Sequence, residues 1–110
     1  MNTSVTIPVS RTKNSRLPEY DFDHIVFGNN PTDHIFIAEY KNGAWGQARI
    51  EPFHDLTISP IALGLHYGQT VFEGLKAYKL EDGNLNIFRP YKHHDRLNKS
   101  LDRMCMPSVP

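Results

Sequence analysis

HIFIAEYKNGAWGQARIEP, residues 34–52, carries the pattern that decides the fold. Its first seven residues are rich in aromatic and β-branched side chains, which suit a pleated, half-buried surface. Lys41-Asn42-Gly43 follows them. Asn-Gly fills the two positive-φ positions of a tight hairpin turn at low steric cost. A return strand is therefore expected from Gln47 to Pro52, antiparallel to the first. Downstream the same logic predicts a second hairpin. Leu75 to Leu80 reads as strand, Glu81-Asp82-Gly83 as turn and Asn84 to Phe88 as the return strand, with Thr70-Val71-Phe72 also read as strand.

Two helical signals flank that hairpin. Ser59-Pro60 can start a short helical turn, since serine caps and proline tolerates the first helical position. A longer helix is predicted from Pro90 to about Cys105, with Pro107 stopping it. His93, Leu97, Leu101 and Met104 follow i, i+4, i+8 and i+11, one helical face. Arg96 lies about 100° around from Leu97, so its stem starts at the margin of that face. Hairpins followed by a late helix, without β-α-β alternation, predict an α+β antiparallel domain. Residues 1–19 are polar, without periodicity, and are expected to form an extended arm or flexible tail; residues 20–110 form the ordered part.

Composition removes several function classes. The 110 residues hold 12 basic and 12 acidic side chains. With no charge block, neither a nucleic acid nor an anionic membrane is the expected partner, and a small molecule is. Cys105 is the single cysteine, which excludes an internal disulfide framework and suits a reducing, cytoplasmic setting. No apolar run is long enough to span a membrane, and no secretory signal is visible. Arg11, Lys13 and Arg16 in an acid-free start are transit-peptide-like, but Pro8 and Pro18 interrupt any amphipathic helix there. The six histidines show no His-x3-His pair, so no metal site is expected. No phosphate-cradling glycine motif is present either.

Two features can carry chemistry. In HYGQTVFEG, residues 66–74, glycines flank a segment bearing the Tyr67 hydroxyl and the Phe72 ring. One reading is a bulged core strand. The other is a ligand lying against the glycine backbone between aromatic walls. Arg96 is similarly open: a solvated or salt-bridged helix residue, or a planar fork that grips a phosphate in bidentate fashion.

LHYGQTVFEGLKAY (65–78), DGNLNIFRP (82–90) and DRLNKSLDRMCMP (95–107), in that order, resemble branched-chain amino-acid aminotransferases, pyridoxal-phosphate enzymes of fold type IV. The upstream HIVFGNNPTDHIFIAEY (24–40), with Phe27 ahead of Thr32-Asp33-His34, is also similar to that family. The resemblance implies the small N-terminal domain of such an enzyme, working as a homodimer. It implies that Arg96 binds the phosphate of pyridoxal 5'-phosphate. It further implies that Phe27, Tyr67 and Phe72 line the substrate side-chain pocket, that Tyr67 reaches into the partner subunit's site, and that Gly74 lies where any side chain would intrude. The implied reaction moves the amino group of leucine, isoleucine or valine to 2-oxoglutarate, so its partners are an amino acid and a 2-oxo acid. An apolar pocket separates such substrates by only about 1–3 kcal/mol per methylene, so breadth is expected.

The family carries its catalytic lysine on a later, larger domain. None of Lys13, Lys41, Lys76, Lys79, Lys92 or Lys99 matches that lysine's motif, so no catalytic residue is expected in this chain, and the chain alone is expected to be inactive. The same fold leaves a D-amino-acid aminotransferase or an aminodeoxychorismate lyase as alternatives. A non-catalytic binding or dimerisation module is the alternative of another class.

Overall fold

Asn42 and Gly43 sit at φ 53° and 81°, the paired left-handed conformation that their sequence predicts. Around them the computed structural model, which describes residues 6–110, turns β2 (Tyr40–Lys41) back onto β3 (Ala44–Trp45). The Tyr40 and Trp45 rings meet edge to face across the turn, 5.3 Å between centroids. Further from the turn, β1 (His34–Ile37) pairs antiparallel with β4 (Arg49–Pro52).

The single hairpin expected from the sequence is thus broken into two ladders. Ile37 is opposite Arg49, yet Tyr40 is opposite Trp45, so residues 46–48 stand against residues 38 and 39 only. That extra residue is a bulge, which raises local twist and interrupts the ladder. Gly46 N donates to Glu39 O at 2.8 Å across the break, and a Cβ on Gly46 would meet that same oxygen at 3.4 Å.

The described part of the expected arm is tied down, and it ends in a 3-10 turn at Leu17–Glu19. Val9 forms a parallel bridge with Ile50, supported by Ser10 N to Ile50 O and Ile50 N to Pro8 O, both 2.9 Å. Residues 1–5 of that arm lie outside the described residues. Asp33 anchors the next stretch: its carboxylate accepts from Ser15 Oγ at 2.6 Å and from Arg16 N at 2.8 Å. Thr12 N donates to His34 Nε2 at 3.0 Å. A short 3-10 turn at Phe22–His24 is capped by Asp21.

The chain divides into two compact units, the first ending at Thr57 and the second being Ile58–Pro110. In the second unit, Ser59 O accepts from Ala62 N in the predicted helical turn, which leads into α1 (Leu63–His66). The second hairpin forms from β5 (Ala77–Lys79) and β6 (Leu85–Ile87), with Gly83 at φ 84° in its turn. Thr70-Val71-Phe72, read as strand from its composition, belongs to no ladder. A strand needs a partner for its backbone groups, and no neighbouring segment of the unit supplies one.

Helix α2 spans Pro90–Arg103, close to its expected bounds. Leu101 is buried, 7% exposed, and His93, Leu97 and Met104 are half-buried beside it, the face the periodicity predicts. Its end is a Schellman arrangement: Met106 N donates to Leu101 O and Cys105 N to Asp102 O. Cys105 takes the left-handed position at φ 54°, where glycine is the usual residue. The tail beyond is clipped to the helix by Asn98, which receives Val109 N at 2.8 Å and donates to Val109 O at 2.9 Å.

The described residues therefore form antiparallel strand pairs and a C-terminal helix, an α+β composition. Among them, no helix is long and apolar enough to cross a membrane. Left-handed backbone costs a residue with a Cβ about 1–2 kcal/mol. Cys105→Gly is accordingly expected to raise unfolding stability by roughly 0.5–1 kcal/mol, whereas Gly43→Ala lowers it by about 1 kcal/mol. Denaturant titration of the two variants checks both signs.

Candidate functional site

The segment from Tyr67 to Lys76 has no ladder of its own, so side chains hold it. Gln69 Nε2 donates to Met104 O at 2.9 Å, joining the segment to the end of α2. Gly64 lets α1 approach it, since a Cβ there would lie only 3.0 Å from the Thr70 methyl. The strongest tie is Glu73. One of its oxygens accepts from Arg96 Nε at 2.6 Å, and the other from Arg96 Nη2. The second oxygen also meets His93 Nδ1 at 3.0 Å and Gly74 N at 3.1 Å.

Protonation follows from this geometry. The Arg96 and His93 bonds hold the Glu73 carboxyl at about 2, against an ordinary 4.5, and the same partner raises the Arg96 guanidinium. An ionised carboxylate only accepts, so His93 Nδ1 must carry the proton it donates. Arg96 Nη2 lies 3.3 Å from that nitrogen, and two donors that close are tolerable because they share one anion.

Arg96 lines an open groove with Thr70, Val71, Phe72, Lys99, Ser100, Arg103 and Met104. Cations and hydroxyls line it, and no carboxylate does. At positions 96, 99 and 103 the helical repeat puts the three cations within a 60° arc of α2. Such a donor set suits a small anion, with the Val71 and Phe72 side chains as its apolar wall. Gly74 lines a second groove with Leu75, Lys76, Tyr78, Phe88 and His93.

The five residues singled out from the sequence are thus placed unevenly. Phe72 and Arg96 share a groove, and Gly74 is next to the carboxylate between them. Tyr67 ends α1, its N–H on Leu63 O, with its ring 82% exposed. Phe72 is equally exposed at 82%. Phe27, in the first unit, tops a tight turn closed by Asn29 N on Val26 O, with Gly28 at φ 84°, and is 93% exposed. A Cβ on Gly74 would meet only the Phe72 ring, at an ordinary 3.5 Å. Intrusion by a side chain at Gly74 is therefore not caused by this chain's own atoms.

Glu73, the centre of this arrangement, had no signal in the sequence. It lies 23 residues from Arg96, and only folding joins them. Thr32-Asp33-His34 also has a structural role that its motif did not announce, as the anchor of residues 12–16.

No protein-family model matches the chain. Curated proteins do. Branched-chain-amino-acid aminotransferase 2 of Bacillus subtilis is 44% identical over 108 residues, 97% of this chain and 30% of that protein. Branched-chain-amino-acid aminotransferase 5, chloroplastic, of Arabidopsis thaliana is 43% identical over 90% of this chain and 24% of its own length. The mitochondrial branched-chain-amino-acid aminotransferase of Mus musculus is 40% identical over 92% of this chain and 26% of its own. The resemblance read from about residues 20–107 is therefore shown, and the chain is related to branched-chain-amino-acid aminotransferases. It spans less than a third of the length of these relatives.

A depressed folded-state carboxyl contributes stability above its unfolded value and loses it on acidification. The stability gap between the natural sequence and Glu73→Gln should therefore be full above pH 4.5 and shrink as pH falls toward about 2. Urea unfolding at stepped pH measures it, and a gap independent of pH would contradict the ionised cluster.

Proposed function

We propose that the chain is the small N-terminal domain of a pyridoxal-phosphate-dependent branched-chain aminotransferase of fold type IV. Residues 1–19 are its arm and residues 20–110 its ordered part. The observation that supports this reading most directly is the groove that Arg96 and Phe72 both line, within a sequence related to such enzymes over nearly its whole length.

The donor set fits a phosphate. Arg96 gives Nε and Nη2 to Glu73; among the described residues, nothing engages Nη1. That free edge can take two phosphate oxygens, with the Thr70 hydroxyl in the same groove as a further donor. Bound there, pyridoxal phosphate supplies the electron sink for the carbanion formed at the amino acid's α-carbon. This chain's own residues bind and orient. Arg96 fixes the phosphate end, and Phe72 presents an apolar surface suited to a branched aliphatic side chain.

Phe27 and Tyr67 complete the substrate pocket in this reading, and Gly74 keeps its wall free of a side chain. Their exposure is consistent with surfaces that close against other parts of a larger, homodimeric enzyme, since large apolar residues left open commonly mark contacts. Tyr67 reaches the partner subunit's site. The lysine that links the cofactor is supplied from outside these residues, so the chain alone is inactive. Leucine, isoleucine and valine are the amino donors and 2-oxoglutarate the acceptor. The lone cysteine, exposed Cys105, agrees with a cytoplasmic setting.

The full-length protein should transfer the amino group of all three branched-chain amino acids to 2-oxoglutarate, within about a hundredfold of one another in kcat/KM. Activity with D-alanine alone would assign the chain to the D-amino-acid branch instead. Arg96→Ala should weaken retention of pyridoxal phosphate about 10- to 100-fold, since a bond to a charged group contributes roughly 1.5–3 kcal/mol. Equilibrium dialysis of the apoprotein reads this directly.

A further inference from the structure

Arg96 is a helix side chain 64% exposed to solvent. Such a side chain samples many rotamers, and a ligand that needs one of them bears the cost of ordering it. Here the ordering is already done. The Glu73 carboxylate is only 10% exposed and is saturated: Arg96 Nε bonds one oxygen, while Arg96 Nη2, His93 Nδ1 and Gly74 N converge on the other. An acid fixed by four donors on two segments has one available geometry. It therefore fixes the guanidinium that forks onto it.

The fork uses a single edge. Nε and Nη2 face Glu73, which leaves Nη1 and the outer hydrogen of Nη2 on the opposite edge. A planar guanidinium can present two such edges to two anions at once, whereas a lysine ammonium has no edges at all.

We propose that Glu73 is a positioning residue: it holds Arg96 by one edge so that the other edge is presented, preformed, to the phosphate of the cofactor. This rests on the assignment of Arg96 as the phosphate ligand. The carboxylate also acts against the second anion through repulsion, so the sign of its net effect is the point at issue. Glu73 is only 10% exposed, so its repulsion is incompletely screened by salt; Arg96, the cation between the two anions, offsets it. Lys99 and Arg103 line the same groove, and among the described residues neither has an acidic partner, so the groove remains net positive despite Glu73.

The test uses the full-length apoprotein and two probes, pyridoxal phosphate and phosphate-free pyridoxal, with dissociation constants read by fluorescence titration at physiological salt. Glu73→Gln should weaken pyridoxal phosphate about 3- to 10-fold, the cost of ordering one long side chain, and leave pyridoxal unchanged. Weakening of both probes to the same degree would mean a general structural loss, and would overturn the proposal. So would tighter or unaltered binding of pyridoxal phosphate, which would make Glu73 a competitor or a bystander. Arg96→Ala separates the two levels of the argument. If it fails to discriminate the probes, the phosphate assignment itself is wrong; if it discriminates and Glu73→Gln does not, only the positioning role falls. Thermal unfolding of each variant, run in parallel, establishes that the apoproteins compared are folded.

Discussion

The Glu73 carboxylate, shared by Arg96 and His93, is the contact on which the second unit is organised. The segment between α1 and β5 pairs with no strand, so its backbone provides no ladder to hold it. Side chains replace the ladder: Gln69 at one point and Glu73 at another, both reaching α2. Without the carboxylate, Phe72 and Gly74 would have no fixed relation to the helix. Phe72 and Arg96 line one groove, and the acid next to that phenylalanine is clamped to that arginine.

The first unit solves the equivalent problem with backbone. Its hairpin is nucleated by Asn42-Gly43, interrupted by a bulge at residues 46–48, and flanked by an arm that adds Val9 to the far edge of β4. Asp33 and His34 anchor that arm through Ser15, Arg16 and Thr12. Phe27 projects from a turn whose third residue, Gly28, carries the positive φ. Exposed aromatic residues occur in both units, and Leu101, 7% exposed, is the one buried hydrophobic residue among the described residues.

Local chemistry was legible in the sequence, and long-range pairing was not. Asn42-Gly43, Glu81-Asp82-Gly83, Pro90 and Pro107 each mark a boundary by restricting φ or removing a donor, and the elements begin and end near them. The apolar face of α2 followed from a period of 3.6. Thr70-Val71-Phe72 misled because β-branched and aromatic composition describes a surface, while a strand also requires a partner. The bulge was hidden because register depends on both strands together. Glu73 was invisible because nothing within a few residues of it distinguishes an acid that will meet an arginine 23 positions later. Cys105 ends a helix in a conformation that glycine ordinarily takes, so no residue-type rule pointed to it.

In the proposed enzyme, Arg96 uses two edges for two anions. A crystal structure of the full-length protein with pyridoxal phosphate bound tests it most directly. The expected result is the phosphate on the Nη1 edge of Arg96, with Nε and Nη2 still bonded to Glu73. A phosphate held away from Arg96, or an Arg96 that has released Glu73 to reach it, would contradict the account.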